Sequence, residues 1–392
     1  MISVSAAIDQ LITTAKTTDG REQLLVTQSL GRVLATDITA TINVPPADNS
    51  AMDGYAFCYA DALKSDFKLP LSQRIPAGVA PKALNPSTIA RIFTGAEIPA
   101  GADTVTMQEN CTEQDGTVTI GGVVTNGANI RRQGQDIQSG QTILSAGTKL
   151  RAQEMGLLSS IGIKAVEVYK PLKIAIFSTG DELVEPGEAI QPGQIYNSNR
   201  ATLIGLIQSL GMIPVDLGTV PDSLEATEAV LEKAAAEGDI ILSAGGVSVG
   251  DEDYVKSAVV KLGSIDFWKV AIKPGKPLAF GQIEGTPFIG LPGNPASVFV
   301  TFMTLARPFL LASQGLNAVL PQPLKAIAQF AKLGEKRQVY LRAKLTETGV
   351  VIHPNQSSGV LSSACWGEVF VVQQSDQSIQ VGDLVDVLPY RM

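Results

Sequence analysis

The stretch DIILSAGGVSVGD (239–251) decides the fold. Residues 239–243 read as a strand that runs into a glycine-rich loop. Just upstream, 224–237 has the pattern of a helix, and Gly238 follows it. Further back, 173–177 is a short apolar run that turns polar in STGDEL (178–183). Asn199 is placed to cap a helix carrying Leu203, Leu206, Ile207 and Leu210 on its apolar side, and Gly211 stops it. Residues 213–217 then form a strand. Downstream, 288–291 is another strand, followed by Pro292-Gly293-Asn294-Pro295 and a helix. Strands alternating with helices predict a mostly parallel, doubly wound α/β domain. In such sheets ligands bind at the carboxyl ends of the strands. Three loops with chemical potential lie there: 178–183, 243–251 and 291–297.

Gly245, Gly246 and Gly250 let the backbone approach a ligand and offer amides to a phosphate. The loop is neither GxGxxG nor GxxxxGK[ST], so neither a dinucleotide fold nor a P-loop NTPase is indicated. A tight turn without a ligand is an equal reading. Pro295 at a first helical position, with Asn294 as cap, leaves free amides at a helix N-terminus, a natural anion site. A well-capped helix with no ligand is the alternative.

The flanks differ from this pattern. Residues 1–41 begin helical, with Ile8, Leu11, Ile12 and Ala15 on one face, then become extended. Residues 42–140 are rich in Gly, Pro, Thr and Val and read as short strands, including 104–108 and 117–120. Asp115-Gly116 is a plausible hairpin turn between strands. Residues 151–161 resume a helical pattern. From about residue 320 the pattern returns to strands at 339–345, 351–353, 368–373 and 384–389, as in a small barrel. The expected division is a discontinuous extended helical domain (1–41 plus 141–170), an inserted β domain (42–140), the α/β domain (171–318) and a C-terminal β-barrel (319–392).

Hydrophobic residues are 45% and charged residues 17% of 392 residues, a globular composition too long for one ordinary core. No apolar run reaches the ~18–20 residues needed to span a bilayer. The N-terminus lacks the basic start and apolar core of a signal peptide. These features predict a cytoplasmic protein with no membrane partner. Cys58, Cys111 and Cys365 are scattered and odd in number, so neither a zinc site nor a disulfide framework is indicated. The one histidine, His353, reads as a residue at a strand end rather than a base. A net charge of −8 and a pI of about 4.9 argue against non-specific nucleic-acid binding.

The segment DNSAMDGYA (48–56) follows Pro45-Pro46 and sets Asp53 between small residues and Gly54. It suits neither a long helix nor a central strand. Read alone it is an Asp-Gly turn, with Gly accepting positive φ. Acids concentrate in the candidate loops: Asp53, Asp136, Asp181, Glu182, Asp222, Asp251 and Asp253. Hard oxygen donors with almost no His or Cys suit Mg²⁺, which often bridges phosphates. Each acid also has a structural reading. Glu182 stands three residues after Thr179 as in a capping box, Asp222 is placed to cap the helix at 224, and Asp136 to stabilise a turn after Gly134. Lys269, Lys273 and Lys276 make a basic cluster around KPGKP, where charge attracts phosphate or another oxyanion, although lysines are usually solvated surface residues.

DNSAMDGYA resembles the signature of the MoeA family, the molybdopterin molybdenumtransferases, to which a module of the vertebrate protein gephyrin is related. FTGAEIPAGAD (93–103), STGDEL (178–183), SAGGVSVGDEDY (243–254), FWKVAIKPGKP (267–277) and GLPGNPASV (290–298) resemble that family in the same order. The resemblance covers essentially the whole chain. It implies insertion of molybdenum from molybdate into adenylylated molybdopterin, with release of AMP and a need for Mg²⁺. Carried over by motif, the catalytic residues are Asp53, Thr94, Asp136, Glu182, Asp222, Asp253, Lys269 and Lys273, all present with the family's residue type. Glu182 and Asp253 are the implied Mg²⁺ ligands. The implied pterin-nucleotide site comprises Ser178, Thr179 and Gly180, then Gly245, Gly246, Ser248 and Gly250, then Pro292, Gly293, Asn294 and Pro295. The resemblance further implies an elongated homodimer. Its β domain faces the partner's α/β domain across a shared active site, and the helix at 151–161 packs near the N-terminal one. A molybdopterin adenylyltransferase and acceptor molybdoenzymes are the implied protein partners. Two competing readings remain: the adenylyltransferase itself, whose single domain resembles 171–318, and a non-enzymatic scaffold.

Overall fold

The structure is a computed structural model, and it describes residues 1–247 and 254–390. Its centre is a six-stranded sheet. In spatial order the strands are Ile213–Val220, Lys173–Thr179, Ile240–Ala244, Thr286–Leu291, Pro277–Ile283 and Gly263–Lys269. The first four are parallel, and the last two complete the sheet antiparallel. The antiparallel pair was not legible as strands, because Pro277 and Gly281 interrupt its apolar pattern. From the Lys173–Thr179 strand the chain steps to one neighbour and then back across to the other. That reversal opens a crevice at the strand ends, where STGDEL and SAGG leave the sheet.

Local chemistry sets the helices. Leu224–Glu237 starts at Ser223, whose hydroxyl accepts the Ala226 amide, so Ser223 and not Asp222 is the cap. Ser198–Ser209 is capped by Asn197, two residues before the expected Asn199. Asn199 instead sits buried in the first turn, its Nδ2 donating to the Gly293 carbonyl at 2.7 Å. Pro295–Ser313 forms one continuous helical rod, with a wide turn at Phe302–Ala306. By length and by the mean hydropathy of its 18-residue window (1.5) it is apolar enough to cross a membrane, yet 83% of that window is buried inside the protein. No α-helix follows STGDEL. Leu183–Val184 pairs with Ile195–Tyr196 instead, so Glu182 completes no capping box.

The helix Val4–Thr14 begins at Ser3 and buries Val4, Ala7 and Leu11. It packs on Arg307–Ser313 of the central domain and joins that domain's core, not the helix Ala152–Ser160 as expected. The apolar face of Val4–Thr14 completes the larger core, whereas Leu158 belongs to a separate cluster with Val26, Leu34 and Val168. Arg21–Leu25 pairs antiparallel with Ala165–Tyr169, which ties the two ends of this region together.

Two further six-stranded sheets flank the central one in sequence. One orders Thr104–Met107, Gly54–Phe57, Ile89–Ile92, Lys68–Ile75, Thr117–Ile120 and Cys111–Gln114. The other contains Gln338–Thr346, Val369–Gln373, Leu384–Pro389 and Leu324–Ile327, with Gly349–Ile352 on Gln338–Thr346. A parallel bridge from Ala328 to Val350, with the Gln329 amide on the Val350 carbonyl at 2.9 Å, brings its outer strands together as in a small barrel. Ile272–Lys273 adds to this sheet beside Gln338 and Val339, so the lysine loop of the central domain is held by the C-terminal one.

Candidate functional site

At the carboxyl ends of the parallel strands lies an open cavity of about 870 Å³. Several central-domain loops and two segments of the C-terminal sheet domain line it. The first loop brings Thr179, Gly180 and Glu182. Gly180 has φ +146, and a Cβ there would meet the Glu182 carboxylate at 2.5 Å. Its bare backbone therefore lets Glu182 fold back over the loop. Asp222 approaches from the start of Leu224–Glu237, where the Asp181 carboxylate accepts the Asp222 amide at 3.1 Å and the Asp222 carboxylate accepts the Asp181 amide at 3.3 Å. Glu182 and Asp222 both line the cavity, giving it an acidic side.

The second loop contributes Gly245 and Gly246, with φ of +95 and +64. Packing explains both glycines. A Cβ at Gly245 would lie 2.9 Å from the Thr179 carbonyl, and one at Gly246 would lie 2.3 Å from Val255 Cγ2. The Gly245 amide donates to the Leu291 carbonyl, so that donor is not offered to a phosphate. Ser248, Gly250 and Asp253 lie outside the described residues. The third loop brings Pro292, Gly293, Asn294 and Pro295 to the wall. Asn294 occupies the cap position but makes no side-chain capping bond. The expected free amides are not free. Ala296 donates to the Ser358 carbonyl, and Ser297 and Val298 donate to Asn294.

The opposite wall is basic. Lys273 and Lys276 stand beside Arg337, which also donates to the Ile272 carbonyl. Lys273 is held by Glu335, which Lys332 also contacts at 3.2 Å. Burial raises the Glu335 pKa, but the two ammonium groups outweigh it and leave the carboxyl below its usual range. Gln356, Ser357 and Ser358 close this side. Their loop is anchored by Arg342, a fully buried guanidinium that donates to Ser363 Oγ at 3.0 Å and to the Ser357 carbonyl at 3.1 Å. Burial pushes Arg342 down to about 10.

Sequence reasoning missed Asn197, Asn199, Ser297, Arg337 and the 356–358 loop. Only Ser297 carried a signal, lying inside GLPGNPASV. The C-terminal residues follow no glycine-rich loop, and only docking of that domain brings them to the cleft. The Asn199 Oδ1 is buried without a hydrogen-bond partner in the cavity wall. A buried amide oxygen of this kind awaits a donor.

Not every expected residue meets here. Ser178 is buried in its strand, and Lys269 is not among the residues lining the cavity. Asp53, Thr94 and Asp136 are exposed on the N-terminal β region, away from the cavity of their own chain. Asp53 Oδ1 accepts the Thr94 amide and hydroxyl, both at 2.8 Å. Those two bonds, the amide first, hold its carboxyl below the ordinary range. Gly54 does not adopt positive φ. It opens a strand where a Cβ would lie 1.9 Å from the Thr106 carbonyl, so close strand packing demands the glycine. Asp48 draws the motif toward the 131–136 segment by accepting from the Gln133 amide at 2.8 Å and from Arg132 at 2.6 Å.

Comparison with known proteins covers the whole chain. Residues 2–162 match the MoeA N-terminal region (domains I and II), 175–312 a probable molybdopterin binding domain, and 327–390 the MoeA C-terminal region (domain IV). A molybdopterin molybdenumtransferase of Haemophilus influenzae is 37% identical over 379 residues, 94% of each chain. One from a Nostoc species is 42% identical over 295 residues, 73% of this chain and 68% of that one. Among solved structures, a molybdopterin biosynthesis MoeA protein from Pyrococcus horikoshii covers all of both chains with a TM-score of 0.87 at 28% identity. A second structure under the same description gives 0.82 at 31%.

Proposed function

The chain belongs to the MoeA family of molybdopterin molybdenumtransferases, enzymes of molybdenum cofactor biosynthesis, and from that premise we propose how its cleft works. The substrates are adenylylated molybdopterin and molybdate. Molybdenum passes to the dithiolene sulfurs of the pterin and AMP leaves. The observation that carries this reading is the polarity of the cavity, with Glu182 and Asp222 on one side and Lys273, Lys276 and Arg337 on the other. The basic wall attracts oxyanions and phosphate, and desolvation in the cleft strengthens that attraction.

No Ser-His or Cys-His pair lies in the cavity lining, so positioning and electrostatics carry the chemistry. Asn199 Oδ1 accepts from a pterin N–H, and Gly245 and Gly246 leave room for the ring system. Lys273, oriented by Glu335, and Lys269 draw in molybdate. Asp53, oriented by Thr94, and Asp136 reach the cleft from a second copy of the chain, so the working unit is a homodimer with shared sites. Mg²⁺ needs only one or two carboxylates when substrate phosphate supplies other oxygens, and the exposed Glu182 fits such a donor set. Glu182 with Asp253 would hold the ion, which would neutralise charge on the phosphate being released. A molybdopterin adenylyltransferase would deliver the substrate, and apo-molybdoenzymes would take the product.

The test is AMP release from adenylylated molybdopterin by the purified chain with Mg²⁺, with and without molybdate. Molybdate-dependent release with molybdenum in the product is the expected result. Tight binding without release by folded dimer would overturn it in favour of a carrier or scaffold.

A further inference from the structure

Tyr55, Arg91 and Arg74 stand side by side across three strands of the N-terminal sheet. Tyr55 is the register partner of Arg91, and Arg91 is the register partner of Arg74. Register partners point to one face of a sheet, and like charges placed directly opposite destabilise it. No carboxylate comes within ion-pair distance of either arginine among the described residues. Arg91 donates to neutral acceptors, the Gly54 carbonyl at 3.1 Å and the Gln108 side chain. Both guanidinium groups contact the Phe93 ring. Arg74 lies 4.6 Å and Arg91 4.9 Å from its ring centroid. Arg91 also lies 5.0 Å from the Tyr55 ring.

The position of this stack matters as much as its charge. Phe93 immediately precedes Thr94, which holds Asp53, and Arg91 grips the carbonyl of Gly54, which follows Asp53. The stack therefore borders the Asp53–Thr94 pair. In a chain of net charge −8, two guanidinium groups on one sheet face with no ion pair among the described residues, Arg91 lying within electrostatic reach of the Asp53 carboxylate, mark a local preference for an anion. Guanidinium forks match phosphate oxygens, and cation–π contacts with Phe93 limit the freedom that binding would remove.

We propose that the Arg74–Phe93–Arg91 stack binds the phosphate of the adenylyl group, and then of the AMP product. This rests on the reading of the substrate as an adenylylated pterin. It places the adenylyl phosphate where the β region of one copy meets the central-domain cleft of the other, leaving the pterin to the cavity of that central domain.

The experiment is equilibrium binding of AMP to the full-length chain by calorimetry, for wild type, R74A and R74K, with inorganic phosphate as competitor. Arg74 is exposed, so its variants are expected to melt with wild type. AMP affinity should fall on the order of tenfold in R74A, recover in part in R74K, and weaken in wild type as phosphate is added. Equal affinity of wild type and folded R74A, or no AMP binding by wild type, would overturn the proposal. Turnover is measured separately. If wild type releases AMP from the adenylylated pterin and R74A binds AMP normally, the stack is wrong and the reaction stands. If AMP binding depends on Arg74 but wild type never turns over, the reaction is wrong and the nucleotide site stands.

Discussion

The backbone amide of Ala296 donates to the carbonyl of Ser358 at 2.9 Å, across the boundary between the central α/β region and the C-terminal sheet domain. This bond satisfies an N-terminal donor of the helix beneath the cleft, and it fixes the 356–358 loop as part of the cavity wall. Arg342 supports the same loop from inside the C-terminal domain.

Replacing Arg342 should therefore loosen the wall rather than remove a ligand contact. R342K keeps the charge but cannot reach both Ser357 and Ser363 with a planar fork. Loss of those bonds should lower the stability of the C-terminal domain by about 1–3 kcal/mol. Trp366, in the short helix Ser362–Trp366 that carries Ser363, reports this domain by fluorescence during urea unfolding. A midpoint unchanged from wild type would refute the role.

Asp53→Asn preserves an oxygen to accept both Thr94 bonds but removes the negative charge. The melting temperature should hold while AMP release falls at least about tenfold, the usual scale for a lost positioned charge. Full turnover would remove Asp53 from the mechanism.

Gly246→Ala places a Cβ on Val255 at a positive-φ position. Strain and overpacking together should destabilise the central domain by roughly 1–3 kcal/mol. Denaturant titration of the variant checks this, and a neutral effect would mean that the loop shifts freely.

Glu335 carries a pH prediction. Its carboxyl is depressed in the folded state by Lys273 and Lys332, so its contribution is present above the unfolded pKa of about 4 and is lost as pH falls through the folded value. The wild type should lose stability relative to E335Q on acidification below about pH 4. Above that range E335Q should be weaker by about 0.5–1 kcal/mol, the scale of a partly exposed pair. Parallel thermal melts at pH 7 and pH 3.5 test the crossover.

Much of the central domain was legible because its signals are local. The helix Leu224–Glu237 was read to the residue from its apolar spacing and Gly238. The strands expected at 239–243 and 288–291 stood out as apolar runs next to glycine loops, and they form at Ile240–Ala244 and Thr286–Leu291. Caps were less legible, because Asn197, Asn199, Asp222 and Ser223 are all competent capping residues and only backbone geometry chooses among them. The Ala296 amide, just after Pro295, looked free because its acceptor, the Ser358 carbonyl, lies far away in sequence.

By itself the sequence determined the alternation of strands and helices, the acidic and basic residues of the loops, and the motifs that identify the family. These depend on residue type and short spacing. Tertiary structure alone decided that Arg337 and the 356–358 loop join the cleft, that Glu335 restrains Lys273, and that Asp53 and Asp136 stand apart from the cavity of their own chain. Such relationships arise when separate apolar faces are buried against each other, and the contacts they create have no local spacing to read.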